Sequence, residues 1–335
     1  MEVKNRSELI FLYDIRDANP NGDPLDENKP RIDEETEINI VTDVRLKRTI
    51  RDYLYNFKGY NGLNGKDIFI REKRNENGEL QDSKHRAKDF NNDTNKIREQ
   101  CIDVRLFGGT IPISKTKDGR NKEASEGDET GGSITFTGPV QFKFGRSMHK
   151  VEIKYVKGTA AFATREGLTQ QGFREKYILP YSLISFYGII NENSAKETKL
   201  SEEDVDEMLD AMWNGTKNLI SRTKAGQMPR LFFRVIYREN NYHIGDLDKK
   251  ITLVKVVDKM QMKEKDDKEI RGISDFKIDL TKLYLTLKNE RERIEKIEIE
   301  ANQDVIFLVE GKEYTGRNVI EAFRELGGIL KPLEK

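Results

Sequence analysis

A short apolar run, Leu9 to Tyr13, ends directly in D-I-R-D-A-N-P-N-G-D-P, and this junction restricts the fold more than any other stretch. An unbroken run of this length predicts a strand buried on both faces. Asn-Pro and Asn-Gly then signal a turn at once. After a polar loop comes V-T-D-V-R-L-K-R-T-I-R, which opens an amphipathic helix over 40–57. Leu46, Ile50, Tyr53, Leu54 and Phe57 recur at spacings of three and four, with Arg45, Arg48 and Asp52 on the other side. A buried strand, an Asn/Asp loop and a strongly basic helix in succession suit a long polyanion better than a small neutral ligand.

The remaining chain alternates strand and helix signals. Residues 58–130 are polar and rich in Gly, Asn and Lys. A structureless loop of that length is improbable in a compact domain, so they read as an inserted segment, partly flexible, with a short helix from Arg98 to Phe107 closed by Gly108-Gly109. Residues 134–144 alternate, interrupted by Gly138-Pro139. Val151 to Val156 alternates too, and Tyr177 to Ile190 reads as a central strand. Ser201-Glu202-Glu203-Asp204 fits a capping box, opening a helix whose inner face is Val205, Met208, Leu209, Met212 and Trp213 and which Gly215 ends. Leu231 to Tyr237 is a strand apolar on both faces. Strand, helix, strand, strand, helix, strand is the ferredoxin-like order shared by RNA-recognition-motif (RRM) domains. The predicted fold class is therefore α+β, a modified RRM core with large insertions in a single domain, 1–335. Residues 245–335 read as an extension packed on that core, with strands at Ile251–Val257 and Val305–Val309, a helix from Thr315 to Leu326 stopped by Gly327, and an ambiguous charged stretch at 288–300.

Net charge is +0, which counts against a simple nucleic-acid binder. The charge is segregated, however. Residues 216–238 hold six Lys/Arg and no acid, whereas 191–210 hold eight acids against two Lys. Such sorting can make a basic groove and, elsewhere, an acidic patch. Cys101 is the single cysteine, so no intrachain disulfide forms, consistent with a reducing cytoplasm. The N-terminal M-E-V-K-N-R-S-E lacks the apolar core of a signal peptide, and no run approaches the roughly 18 apolar residues of a membrane span. The expected location is cytoplasmic.

Catalytic signatures are sparse. His85, His149 and His243 are far apart and Cys101 has no partner motif, so no metal or cofactor site is expected. There is no G-x-S-x-G and no Walker loop. Asp14, Asp17 and Asp23 are close enough in sequence to hold Mg²⁺ for a nuclease. Asp and Asn are equally the residues that turns use. Binding signals are denser. Arg45 and Arg48 lie one turn apart, Arg146 leads Lys150, Lys154 and Lys157, and S-R-T-K-A-G-Q at 221–227 sets small residues between its cations, which lets a backbone approach closely. Thr164, Arg165, Gln170 and Gln171 form a similar polar cluster.

Four strings in order resemble the backbone ("Cas seven") subunit of type I CRISPR Cascade complexes, most closely the subtype I-B form. They are N-P-N-G-D-P with V-T-D-V-R-L-K-R, D-V-R-L-F-G-G at 103–109, F-T-G-P-V-Q-F at 136–142, and S-R-T-K-A-G-Q-M-P-R-L at 221–231. The resemblance spans about residues 8 to 240. It implies a non-enzymatic protein that holds a guide RNA (crRNA) by its backbone through loops and a basic groove. It implies copies packed head to tail as a filament, target DNA read by guide pairing, and other Cascade subunits as partners, with no membrane and no cofactor. On this reading Asn19 and Asn21 shape a loop at the RNA backbone. Arg45, Arg48, Arg146, Arg165, Arg222 and Lys224 contact phosphates, and Gln170, Gln171 and Gln227 bond to sugar or phosphate. The acidic 191–210 face then meets a basic face of the next subunit. The base-stacking string of ordinary RRM domains is absent, F-K-F-G-R-S at 142–147 being a vague echo, so a sequence-reading sheet is not expected. Two other readings stay open: a metal-dependent RNA endonuclease using the loop aspartates, and a filament-forming interaction protein without nucleic acid.

Overall fold

The structure is a computed structural model that describes residues 1–112, 132–159, 173–258 and 263–333. Four strands frame it: β1 (Ser7–Ala18), β2 (Gly145–Lys150), β3 (Phe173–Ile190) and β4 (Met228–Tyr237). Their order across the sheet is β4-β1-β3-β2, and every neighbouring pair is antiparallel. Beyond β4 the sheet continues through β5 (Ile294–Ala301) to β6 (Gly328–Leu330). Beyond β2 it continues through Ile38–Val41 to Ile32–Asp33. The chain is thus α+β, built on one large mixed sheet.

Both faces of the central strands are dry, which explains why β1 reads as continuous rather than alternating. Leu9, Phe11, Tyr13 and Ile15 point to one side, where Phe11 lies opposite Phe186 of β3 and Phe232 of β4. Two helices cover this side, α1 (Asp43–Phe57) with Leu46, Ile50 and Leu54, and α6 (Glu202–Lys217) with Met208, Leu209, Met212 and Trp213. Ile10 and Leu12 point the other way, with Leu183, Leu231 and Phe233. That side is covered by the C-terminal residues, including α7 (Thr281–Asn289), Ile278, Phe307 and Phe323.

Three expectations are corrected. Gly215 does not end α6, which begins with the predicted Ser201/Asp204 capping box but runs on to Lys217. A Cβ at Gly215 would stand 2.9 Å from Tyr53 Cβ, so the glycine is there to let α6 approach α1. The stretch from Arg98 to Phe107 is not one helix. Among α2 (Ser83–Lys88), α3 (Thr94–Gln100) and α4 (Ile102–Phe107), the last two are separated by Cys101 in extended backbone. The charged stretch at 288–300 supplies a buried strand, β5. Its Glu298 faces the buried Arg234 at 3.3 Å, and its Glu300 accepts from Arg317 and from the Leu333 amide, both at 2.9 Å.

The segment after α1 builds a small core of its own from Phe69, Phe90, Ile97 and Val104. A buried carboxylate ties it to α1. Asp103, fully buried, accepts from the amides of Phe69 at 2.7 Å and Ile70 at 3.0 Å and from Arg51 of α1 at 2.9 Å. With three donors, one of them a cation, the charge of Asp103 is compensated where it sits.

Candidate nucleic-acid interface

Three segments meet at the exit of β1: the turn at 19–22, the start of α1, and the loop 221–227. Asn19 ties two of them. Its amide donates to the carbonyl of Thr223 at 2.9 Å, and its side-chain Nδ2 donates to the carbonyl of Asn28 at 2.7 Å. Asn21 ties the third. Its Oδ1 accepts from both the amide and the hydroxyl of Thr42, each at 2.9 Å. Thr42 is the N-cap of α1, its hydroxyl accepting from the Arg45 amide at 3.3 Å. The Asn-Pro-Asn-Gly turn therefore sets where the basic helix starts and how it is aimed.

The cations at this junction are unequal. Arg48 is exposed and pairs with Asp52 at 2.7 Å and Glu72 at 3.7 Å, surface pairs that cost little to exchange. Arg45 is half-buried and donates to Thr49 Oγ1 at 2.9 Å; among the described residues no carboxylate bonds to it, and its buried Nε has no partner. Lys224 likewise has no carboxylate partner among the described residues. Burial and the charge of Arg45 hold the Lys224 ammonium below the ordinary lysine range. Burial also lowers the pKa of Arg45; Asp52 and Tyr13 oppose the drop and Arg48 adds to it. Arg222 is exposed and forms no ion pair with a described residue. Gln227 is buried, 3% exposed, and its Nε2 has no partner, as is true of Asn19 Oδ1. Like charges partly withdrawn from water beside unsatisfied polar atoms make this an electropositive junction with spare hydrogen-bonding capacity.

Asn19, Asn21, Arg45, Arg48, Arg222, Lys224 and Gln227 thus belong to one junction. Arg146 does not. It sits on β2 opposite Ser185, on the sheet face of Leu12 and Met148, and it lines a separate cavity with Ile251 and Leu253 while pairing with Asp33 at 3.5 Å. The expectation that it joins the same trough is corrected by strand parity, which turns it to the opposite face from α1. Arg165, Gln170 and Gln171 lie outside the described residues. Sequence reading missed Thr42 and Thr223. A Thr immediately before a helical apolar pattern was the available signal for the first; nothing local marks the second, which contributes only a carbonyl.

The acidic stretch is not an open patch. Glu192 pairs with Arg6 at 2.9 Å, Glu202 with Arg234 at 3.1 Å, Asp204 with Arg105 at 2.7 Å and Asp206 with Lys331 at 2.5 Å. Glu203 meets the terminal amine, and Lys58 binds Asp210. These acids fasten α6 and α5 (Glu192–Thr198) to the rest of the chain.

The loop aspartates do not converge either. Asp14 is buried, accepts from the Tyr181 hydroxyl at 2.8 Å and pairs with Arg230 at 2.9 Å. Burial raises its pKa, with Arg230 and Tyr181 pulling against the rise. Asp17 is near Arg16 at 3.7 Å, and Asp23 pairs with Arg31 at 2.8 Å. Among the described residues no group of three or more His, Cys, Asp or Glu is placed to hold a metal ion.

A sheet closed on both faces, with several cations gathered where β1, α1 and a basic loop meet, defines an α+β protein with an electropositive junction at its rim. Comparison with known proteins gives the family. Residues 5–281 match the family model of CRISPR-associated protein Cas7, and the chain belongs to that family. A Haloferax volcanii protein described as CRISPR-associated protein Cas7 is 32% identical over 316 residues, covering 89% of this chain and 87% of that one. A chain of a solved CRISPR RNA-guided surveillance complex, pre-nicking, shares the fold with a TM-score of 0.51 at 12% identity, covering 96% of this chain and 99% of that one.

Proposed function

We propose that this protein is the crRNA-binding backbone subunit of a type I, I-B-like CRISPR Cascade complex. Copies pack head to tail along one guide, other Cascade subunits join the assembly, and target DNA is recognised by pairing with the guide. The Cas7 family membership supports this reading, and the observation that carries it at the level of residues is the junction itself, in which Asn19 ties the Lys224 loop to the turn and Asn21, through Thr42, ties the same turn to the start of the Arg45 helix, neither cation making an ion pair with a described residue. Phosphates supply the missing charge, and the polar ends of Asn19 and Gln227 take sugar or phosphate oxygens and hydroxyls. Arg165, Gln170 and Gln171 contact the RNA as well, and Arg146 does so from the other face.

The core is a modified RRM. The order β4-β1-β3-β2, with α1 and α6 together on one face, supports that assignment. Residues 58–130 are its insertion and 245–335 its extension. The C-terminal layer occupies the sheet face with which ordinary RRM domains stack bases, which favours backbone tracking over base reading. The role is structural rather than catalytic, and the place of work is the cytoplasm; no helix among the described residues is long and apolar enough to cross a membrane.

Purification of the full chain with its nucleic acid tests the reading. RNA that co-purifies, and an assembly that falls apart when that RNA is digested, are expected. Clean protein that still forms filaments would replace this reading with an interaction protein that needs no nucleic acid.

A further inference from the structure

Beside the junction, past Arg48, a cavity of about 470 Å³ opens between the second half of α1, the segment at 68–72 and the end of α6. Its chemistry differs from that of the trough. The ring of Phe57, 62% exposed, stacks at 5.1 Å on Tyr53, and Ile220 is 80% exposed on the opposite lip. Tyr55 lies under the guanidinium of Arg71 at 5.2 Å. The charges on the rim are already matched: Arg48 with Asp52 and Glu72, and Arg71 with Asp67. Asn56 lines the wall, and its side-chain amide bonds to no described residue, so both of its ends are open.

The geometry points to a nucleobase site: we propose that this cavity takes a base of the bound strand, turned away from the phosphates that Arg45 and Lys224 hold. The proposal rests on the RNA-binding reading above. A nucleotide has an anionic half and a neutral, flat half, and the protein offers the same two halves on either side of Arg48. That side chain lines the cavity, and so does Thr49, whose hydroxyl accepts from Arg45 at 2.9 Å, so trough and cavity adjoin. Aromatic faces hold a base without regard to its identity, because every base has a π-face. An amide on the wall can bond to any base edge. Arg71, matched by Asp67 on the far side of the cavity from the trough, by contrast gains little from a phosphate.

The test uses the full chain with two synthetic strands of equal length, a uridine homopolymer and a ribose-phosphate chain lacking bases, and the variants Phe57→Ala and Tyr55→Ala. The wild type is expected to bind the uridine strand about tenfold more tightly than the baseless one, the stacking contribution of one base. Phe57→Ala is expected to lose most of that ratio while keeping the dependence of binding on salt. Equal wild-type affinity for both strands, or a ratio unchanged in both variants, overturns the base site and leaves the RNA reading standing. A variant that changes the assembly state but not the ratio assigns the cavity to a protein contact and overturns the proposal. No binding to either strand overturns this proposal together with the RNA reading on which it rests.

Discussion

Thr42 donates twice to a single acceptor, the side-chain oxygen of Asn21, through its amide and its hydroxyl. One short side chain in the first turn of the molecule therefore fixes the N-terminus of α1 and, with it, the bearing of Arg45 and Arg48.

Asn21→Ala leaves the Thr42 amide without that acceptor. It is expected to destabilise the fold by about 1–2 kcal/mol and to weaken RNA binding, because α1 loses its anchor. Asn21→Asp keeps an acceptor and should retain most of the stability. Urea denaturation of the two variants, compared with the wild type, checks both statements.

Arg45→Ala and Lys224→Ala each remove one phosphate partner. Each should lower the slope of log affinity against log salt by about 0.7 for a single-stranded ligand, and both together by about twice that. Binding titrations across a salt series measure it; slopes equal to the wild type would take both residues out of the interface.

Gly215→Ala places a methyl group 2.9 Å from Tyr53 Cβ. Alanine is the better helix former by up to about 1 kcal/mol, yet two backbones packed this closely must part to admit it. The variant is expected to lose about 1–3 kcal/mol in net stability. A gain in denaturation midpoint would show that α1 and α6 yield freely at this point.

His149 makes stability depend on pH. It is buried and stacked on Tyr181 at 5.7 Å, with Nδ1 donating to the Lys150 carbonyl at 2.9 Å and Nε2 accepting from the Leu183 amide at 3.3 Å. A second proton would set one N–H against another. Burial lowers its pKa below the ordinary histidine value, with Lys150 and Asp267 pulling back. The folded state thus binds the proton less well than the unfolded chain. The stability from neutral His149 is complete above the unfolded value of about 6.5 and is lost as pH falls from there toward the folded value, by at most about 1.4 kcal/mol per pH unit. In His149→Gln this dependence should vanish, which denaturation at pH 7 and at pH 5.5 would reveal.

The parts of the molecule written in local pattern were legible. The uninterrupted Leu9–Tyr13 run gives a doubly buried strand, the three-and-four spacing of Leu46, Ile50 and Leu54 gives α1, and the Ser201/Asp204 box opens α6 where expected. The parts written in distant pairing were not. Glu298 and Glu300 look solvated until Arg234 is brought to the first across the sheet and Arg317 to the second from the C-terminal layer. The acids of 191–210 look like a free surface until Arg6, Arg105 and Lys331 arrive from three other regions. Arg146 was misplaced for a narrower reason. In a strand a single residue of register selects the face, and composition does not record which face is which.

The two separate cores, one on each side of β1, leave its central residues no wet side on which to absorb change. Substitutions there cost stability whichever way the side chain points, whereas exposed positions around the rim that make no such contacts are freer to drift. Diversification in such a scaffold is driven outward, so relatives are expected to differ most at the edges where they touch other molecules and least in the plank that carries those edges.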